Sequence, residues 1–256
     1  MKLAFEEHGQ GTPVILLHAF PLSRKMWKPQ IETLVEANCR VILPDFFGFG
    51  ETPLGSDTST MEDLANGVAE LLDSLEIEKA IIGGLSMGGY VTLNLYRLHP
   101  KLFSGMILAD TSSLADTEEK REGRFKLIKE TEAKGMSAIV DGMLPNLTAD
   151  YTKENNQQLI KHLEAEFLQT DSKGATAALR GMAQRKDHTE MLEKITVPTL
   201  LIFGKEDKVT NLEGAEILNS RIPDSKLAVI DKIGHYSNLE DSESFNKELV
   251  NFINSI

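Results

Sequence analysis

A chain of 256 residues, 41% hydrophobic and 26% charged, can bury a substantial core, either as one large α/β domain or as a domain carrying an insertion. Its formal net charge of −12 repels phosphate backbones and anionic lipid surfaces, so a small-molecule partner is expected and a nucleic acid is not. No apolar run reaches the ~18 residues of a membrane span, the opening residues turn acidic before a signal-peptide core could form, and Cys39 has no disulfide partner, so a cytoplasmic setting is expected.

Residues 2–7 read as an edge strand, and the turn cluster 9–13 leads into Val14-Ile15-Leu16-Leu17, a central strand. Residues 26–37 have helical spacing around Trp27, Ile31, Leu34 and Val35. Residues 40–44 form the next strand, which runs into a glycine-punctuated loop at 45–52. Thr60 caps a helix whose apolar stripe is Met61, Leu64, Val68, Leu71, Leu72 and Leu75. Ala80-Ile81-Ile82 is a short buried strand, 90–98 a helix ending before Pro100, and 105–110 another strand. This alternation builds βαβ units, so the fold class is α/β, with a mostly parallel sheet and helices on both faces.

From about 112 to 190 the rhythm changes, with no strand and four helical segments at 116–134, 136–144, 152–169 and 174–184. Gly135, Pro145 and Asp171-Ser172 separate them. This block reads as an inserted all-helical cap, which leaves 1–111 and 191–256 as the core domain. It carries 12 Lys and Arg against 14 Asp and Glu, so the acidity of the chain belongs mainly to the core. The sheet pattern resumes with strands at 197–203 and 226–230, each followed by a helix.

The chemistry centres on Gly83-Gly84-Leu85-Ser86-Met87-Gly88-Gly89. A serine between glycines, where a buried strand turns into a helix, is a nucleophile elbow, because a turn that sharp leaves no room for side chains two residues away on either side. A lone hydroxyl is a weak nucleophile and needs partners. His235, on a Gly-containing loop after the last strand, can take the Ser86 proton near neutral pH. Asp207, after the preceding strand, can hold the His235 ring; Asp110 also ends a strand and is the rival for that role. The backbone N–H groups of Phe20 and Met87 would form the oxyanion hole. His18 is read as structural, Asp45 as a turn residue and Cys39 as packing, and His8, His99, His162 and His188 have no partner motif. No metal-ligand pattern or phosphate-binding fingerprint is present, so neither metal nor cofactor is expected.

Five segments, His18-Ala19-Phe20-Pro21, residues 45–50, the elbow, Gly204-Lys205-Glu206-Asp207 and Gly234-His235, make the chain resemble a capped α/β-hydrolase along nearly its whole length. Within that family it is most similar to small carboxylesterases and lactonases of the 3-oxoadipate enol-lactonase type. Ala19 stands where the family usually has glycine, and its methyl takes space near the substrate carbonyl. The expected activity is cleavage of an ester, lactone or thioester of a small, largely apolar substrate through an acyl-enzyme, with Trp27, Phe46 and Phe47 lining the pocket. Carbon–carbon hydrolysis, perhydrolysis and a ligand sensor with slow turnover use the same residues and stay open. The basic stretch Lys120, Arg121, Arg124, Lys126 and Lys129 offers a weak face for an acidic carrier protein.

Overall fold

A computed structural model describes residues 2–256. The apolar runs become a seven-stranded sheet made of β1 (Phe5–His8), β2 (Thr12–Leu17), β3 (Cys39–Pro44), β4 (Ala80–Leu85), β5 (Phe103–Ala109), β6 (Thr199–Gly204) and β7 (Ser225–Ile230). Their spatial order is β1-β3-β2-β4-β5-β6-β7. β1 runs antiparallel to β3 and every other neighbouring pair is parallel. β4 and β6 are buried at every position, which suits near-continuous apolar runs covered by helices on both faces. Each fully enclosed Ile or Leu there adds about 1.5–3 kcal/mol.

α1 (Lys28–Glu36), α2 (Met61–Ser74) and α3 (Met87–Leu98) alternate with the first strands. Thr60 starts α2 with a capping box, accepting from the Asp63 N–H while Asp63 accepts from its own N–H, both at 3.1 Å. Between β5 and β6 come α4 (Glu118–Lys134), α5 (Ser137–Leu147), α6 (Asp150–Asn155), α7 (Gln157–Gln169) and α8 (Ser172–Ala183). α9 (Leu212–Arg221), α10 (Ser237–Glu240) and α11 (Ser242–Ile253) complete the chain.

Two helical expectations need correction. The segment 152–169 is two helices, broken at Asn156 (φ −133°, ψ 60°), whose side chain accepts the Leu159 N–H at 3.1 Å and so starts α7 afresh. Pro145 does not separate helices but lies inside α5, close enough to its end that little of the hydrogen-bond ladder is lost. No helix among the described residues is long and apolar enough to cross a membrane.

The parallel strands point their carboxyl ends the same way, and the loops that follow gather at one end of the sheet. β4 lies between β2 and β5, so the corner after Leu85 is flanked by the loops after Leu17 and Ala109. The inserted helices meet this end of the core at several points. The Ser59 N–H donates to the Ala177 carbonyl at 3.1 Å, the Thr170 hydroxyl to the Pro21 carbonyl at 2.8 Å, and the His235 N–H to the Leu147 carbonyl at 3.1 Å.

Candidate active site

β4 ends at Leu85 and α3 begins at Met87, so Ser86 alone makes the corner, at φ 55° and ψ −112°. Such a conformation costs a serine about 1–3 kcal/mol and persists only where neighbours impose it. Here the Ser86 N–H donates to the Ala109 carbonyl at 2.9 Å, and the Thr111 hydroxyl donates to the Ser86 carbonyl at 2.8 Å. A Cβ on Gly84 would run into the backbone of Gly88, and one on Gly88 into the Leu17 carbonyl. The Ser86 hydroxyl makes no hydrogen bond among the described residues and is not one of the enclosed unpartnered polar atoms, so its oxygen is reachable. Met87 is the first residue of α3, where an N–H has no intrahelical acceptor and the helix dipole is positive.

His235 and Asp207 come together. Asp207 follows β6 and receives the Val209 and Thr210 N–H groups on Oδ1, at 2.7 and 3.1 Å. Its Oδ2 accepts the Thr210 hydroxyl at 2.5 Å and faces His235 Nδ1 at 2.8 Å. With Nδ1 committed to the carboxylate, Nε2 is the nitrogen free to exchange a proton. Burial pushes the Asp207 carboxyl up, but the charge of His235 and the hydrogen bonds outweigh it and hold Asp207 below the usual carboxylate range. For His235, burial acts against the charged ring, and Asp207 more than offsets it, so the imidazole titrates above its ordinary value.

Asp110 is fully buried near this pair but does not bond the imidazole. Its Oδ1 accepts the Gly204 N–H at 2.8 Å and its Oδ2 accepts the Ser237 hydroxyl. Burial, then the charge of Asp207, pushes its carboxyl well above the usual range. The charges of Asp110 and Asp207 oppose each other, and of the two it is Asp207 whose carboxyl is held low. Asp110 therefore ties the end of β6 to the segment after His235. Its chain neighbours Ala109 and Thr111 hold Ser86, so the end of β5 joins the serine corner to the histidine loop.

The loop after β2 is built around His18. Phe46 donates its N–H to Nε2 at 3.0 Å, which makes Nδ1 the protonated nitrogen, and Nδ1 donates to the Ala19 carbonyl at 3.0 Å. Burial lowers the His18 pKa, so the ring is a neutral strut. The Ala19 N–H donates to Met26 Sδ at 3.1 Å, whereas the Phe20 N–H donates to no described residue. The Tyr236 hydroxyl fixes the Phe20 carbonyl at 3.0 Å. Asp45 accepts the Arg24 and Glu51 N–H groups at 2.8 and 2.9 Å and pairs with the Arg24 guanidinium, which makes it an anchor of the loop at 45–52.

Two of the three expected pocket aromatics, Trp27 and Phe46, are enclosed in packing. Trp27 packs on Phe245 of α11, ring centroids 6.1 Å apart, and Phe46 stacks on His18 at 4.5 Å; both are enclosed and offer a ligand no surface. Phe47 lies against Gly67 of α2. A cleft of about 510 Å³ instead opens between α3, the inserted helices and the loop after β6. Val209 and Leu147, whose backbones bond Asp207 and His235, are among its lining residues, whereas Ser86, Asp207 and His235 do not line it. Its walls are not wholly apolar: Tyr90, Leu127 and Met143 alternate with Asp116, Arg124 and Arg185.

Several residues escaped the sequence reading. Thr210 and Thr111 were visible only as hydroxyls near the right segments, and Glu240 as one more helical acid. Glu240 is half-buried and accepts the N–H groups of Ala149, Gly234 and Tyr236 and the Thr152 hydroxyl, stitching α6 to the histidine loop. Arg124, read as part of a basic outer face, turns inward to Asp116 at 2.5 Å.

A family model described as alpha/beta hydrolase fold matches residues 12–242. The 3-oxoadipate enol-lactonase 1 of Acinetobacter baylyi is 29% identical over 243 residues, spanning 95% of this chain and 89% of that protein. A thermophilic esterase from Thermogutta terrifontis, solved with malate bound, has a TM-score of 0.96 and 36% identity, covering 99% of this chain and 93% of the other. The enol-lactonase of Burkholderia xenovorans LB400 has a TM-score of 0.91 at 25% identity, covering 98% and 96%.

Proposed function

The chain belongs to the alpha/beta hydrolase fold family, and on that premise we propose that it is a cofactor-independent serine hydrolase cleaving a carboxylic ester, lactone or thioester of a small molecule. The observation that carries this reading is Ser86, held at φ 55° on the strand-to-helix corner with an unbonded hydroxyl. The bonded Asp207–His235 pair and relatives named as esterase and enol-lactonase support it.

In the proposed reaction Ser86 Oγ attacks the carbonyl carbon while His235 Nε2 takes its proton, and Asp207 stabilises the imidazolium that results. The Phe20 and Met87 N–H groups receive the oxyanion of the tetrahedral intermediate. As the intermediate collapses, His235 returns the proton to the leaving alcohol or thiol; in a lactone that group stays tethered to the acyl chain. His235 then draws a proton from water, the hydroxide attacks the acyl-enzyme, and the acid leaves as Ser86 is reprotonated. Residues 112–190 act as the lid over this centre, and 1–111 with 191–256 as the catalytic core, in a reducing, cytoplasmic setting.

Ser86→Ala tests the reading. Hydrolysis of p-nitrophenyl butyrate is expected to fall by on the order of 10⁴-fold or more. Full activity in the variant would refute it.

A further inference from the structure

The loop that carries the Phe20 N–H has its carbonyls held one after another, while that N–H donates to no described residue. The loop follows β2 and rests against the serine corner, since a Cβ on Gly88 would run into the Leu17 and His18 carbonyls. The Ala19 carbonyl accepts from His18 Nδ1 and from the Leu22 N–H, both at 3.0 Å. A trans peptide unit is planar, so fixing that carbonyl turns the Phe20 N–H the opposite way. The next two carbonyls are held by hydroxyls from distant parts of the chain. Tyr236 donates to the Phe20 carbonyl at 3.0 Å, and Thr170 to the Pro21 carbonyl at 2.8 Å.

Tyr236 comes directly after His235 and is fully buried. Its ring meets Phe167 of α7 edge to face, centroids 6.4 Å apart, and lies 5.7 Å from the His235 ring. Without the Tyr236 hydroxyl the Phe20 carbonyl would be a buried acceptor with no partner. Thr170 sits just after α7, on the inserted helices. Its hydroxyl is also 3.3 Å from the Glu166 carbonyl of its own helix, which makes Pro21 the nearer acceptor. The peptide units on both sides of Phe20 are therefore fixed, one from within the loop and the other by Tyr236. The unit after them is fixed by the insertion.

We propose that Tyr236 and Thr170 are positioning residues of the oxyanion hole: their hydroxyls hold the loop after β2 so that the Phe20 N–H points at the place where negative charge develops. The proposal rests on Ser86 as the nucleophile. An oxyanion donor stabilises the transition state only if it is aimed before the charge forms. A slackened donor therefore lowers kcat and leaves substrate binding unchanged. Because Thr170 belongs to the insertion, seating those helices and aiming the donor become one event.

The test measures kcat and KM for p-nitrophenyl butyrate, and the inhibition constant of trifluoromethyl propyl ketone, in the wild type, Tyr236→Phe and Thr170→Val. Ser86 Oγ adds to the ketone carbon as His235 takes the hydroxyl proton, so the adduct carries the oxyanion of the reaction. Tyr236→Phe keeps the ring against Phe167 and His235 and removes only the hydroxyl. In that variant kcat should fall about tenfold and the inhibition constant rise about tenfold, with KM within about twofold and the pH midpoint of kcat/KM unmoved. Thr170→Val should show the same pattern at about threefold, and Thr170→Ser should restore wild-type values. KM and the inhibition constant belong to the active molecules alone, so partial misfolding moves neither. A merely structural hydroxyl would lower activity without raising the inhibition constant. An unchanged inhibition constant in Tyr236→Phe, or a loss that falls on KM, overturns the proposal. A shifted pH midpoint does so too, because it traces the effect to His235. A wild type that cleaves the ester but ignores the ketone also overturns it, and in all these cases ester hydrolysis by the wild type stands. If the wild type neither cleaves the ester nor binds the ketone, the hydrolase reading fails and the proposal falls with it.

Discussion

Ser86, Asp207 and His235 each owe their state to groups that do no chemistry. Thr111 and Ala109 keep the serine in its strained conformation, and Thr210 with two N–H groups fills the Asp207 acceptors that His235 leaves. Because Asp207 raises the His235 pKa above its ordinary value of about 6.5, kcat/KM should decline as pH falls through a midpoint above that value. The sign follows from the role, since the protonated ring cannot accept the Ser86 proton. In Asp207→Asn burial is opposed only by the more weakly acting Asp110 and Glu240, so the midpoint should move down while kcat drops on the order of 10³–10⁴-fold. A pH profile whose midpoint does not move would argue that another carboxyl, Asp110 first, charges the histidine. The serine and the histidine were legible because each sits in a short motif directly after a strand. The sequence favours Asp207 over Asp110 only by preference, as both end strands; in the structure it is Asp207 that contacts Nδ1. Arg124 was illegible because α4 is charged on nearly every face, so no period marks the side that turns inward, and Arg185 because it lies just after α8, outside any helical period.

At the level of elements, β4 and α3 form one unit with the ends of β2 and β5, and the histidine loop joins it through Asp110 and Ser237. A second tie runs outward through Glu240 to Ala149 and Thr152 at the start of α6. Glu240→Ala would strand those donors together with the Gly234 and Tyr236 N–H groups. We expect a loss on the order of 3 kcal/mol in urea unfolding, with kcat lowered as the His235 loop loosens. A stability change within about 0.5 kcal/mol of zero would show that the tie carries no strain-bearing role. The strands were legible because central parallel strands read as unbroken apolar runs. The break at Asn156 was not, since the residues on either side keep helical composition and only a capping side chain ends one helix and begins the next. Trp27 and Phe46 misled for a related reason: they lie on or near loops close to the site in sequence, but proximity along the chain does not set the face on which a ring packs.

For the molecule as a whole, the sheet supplies a rigid end on which loops from six parallel strands meet, and α4 to α8 lie in the chain between β5 and β6. The helical insertion is nearly neutral while the rest of the chain carries most of the −12 charge, so the basic cluster in the cleft is local and stands out against an acidic body. The fold and the elbow were legible from the order of elements. The shape of the cleft was not, because it is set by how inserted helices pack rather than by their periodicity. The central claim, that Ser86 is the nucleophile, is tested most directly by treating the whole protein with a fluorophosphonate and reading its intact mass and peptide map. The account predicts one adduct per chain, located on Ser86, formed as ester hydrolysis disappears and absent in Ser86→Ala. An adduct on another residue, or hydrolysis that survives full labelling of Ser86, would contradict it.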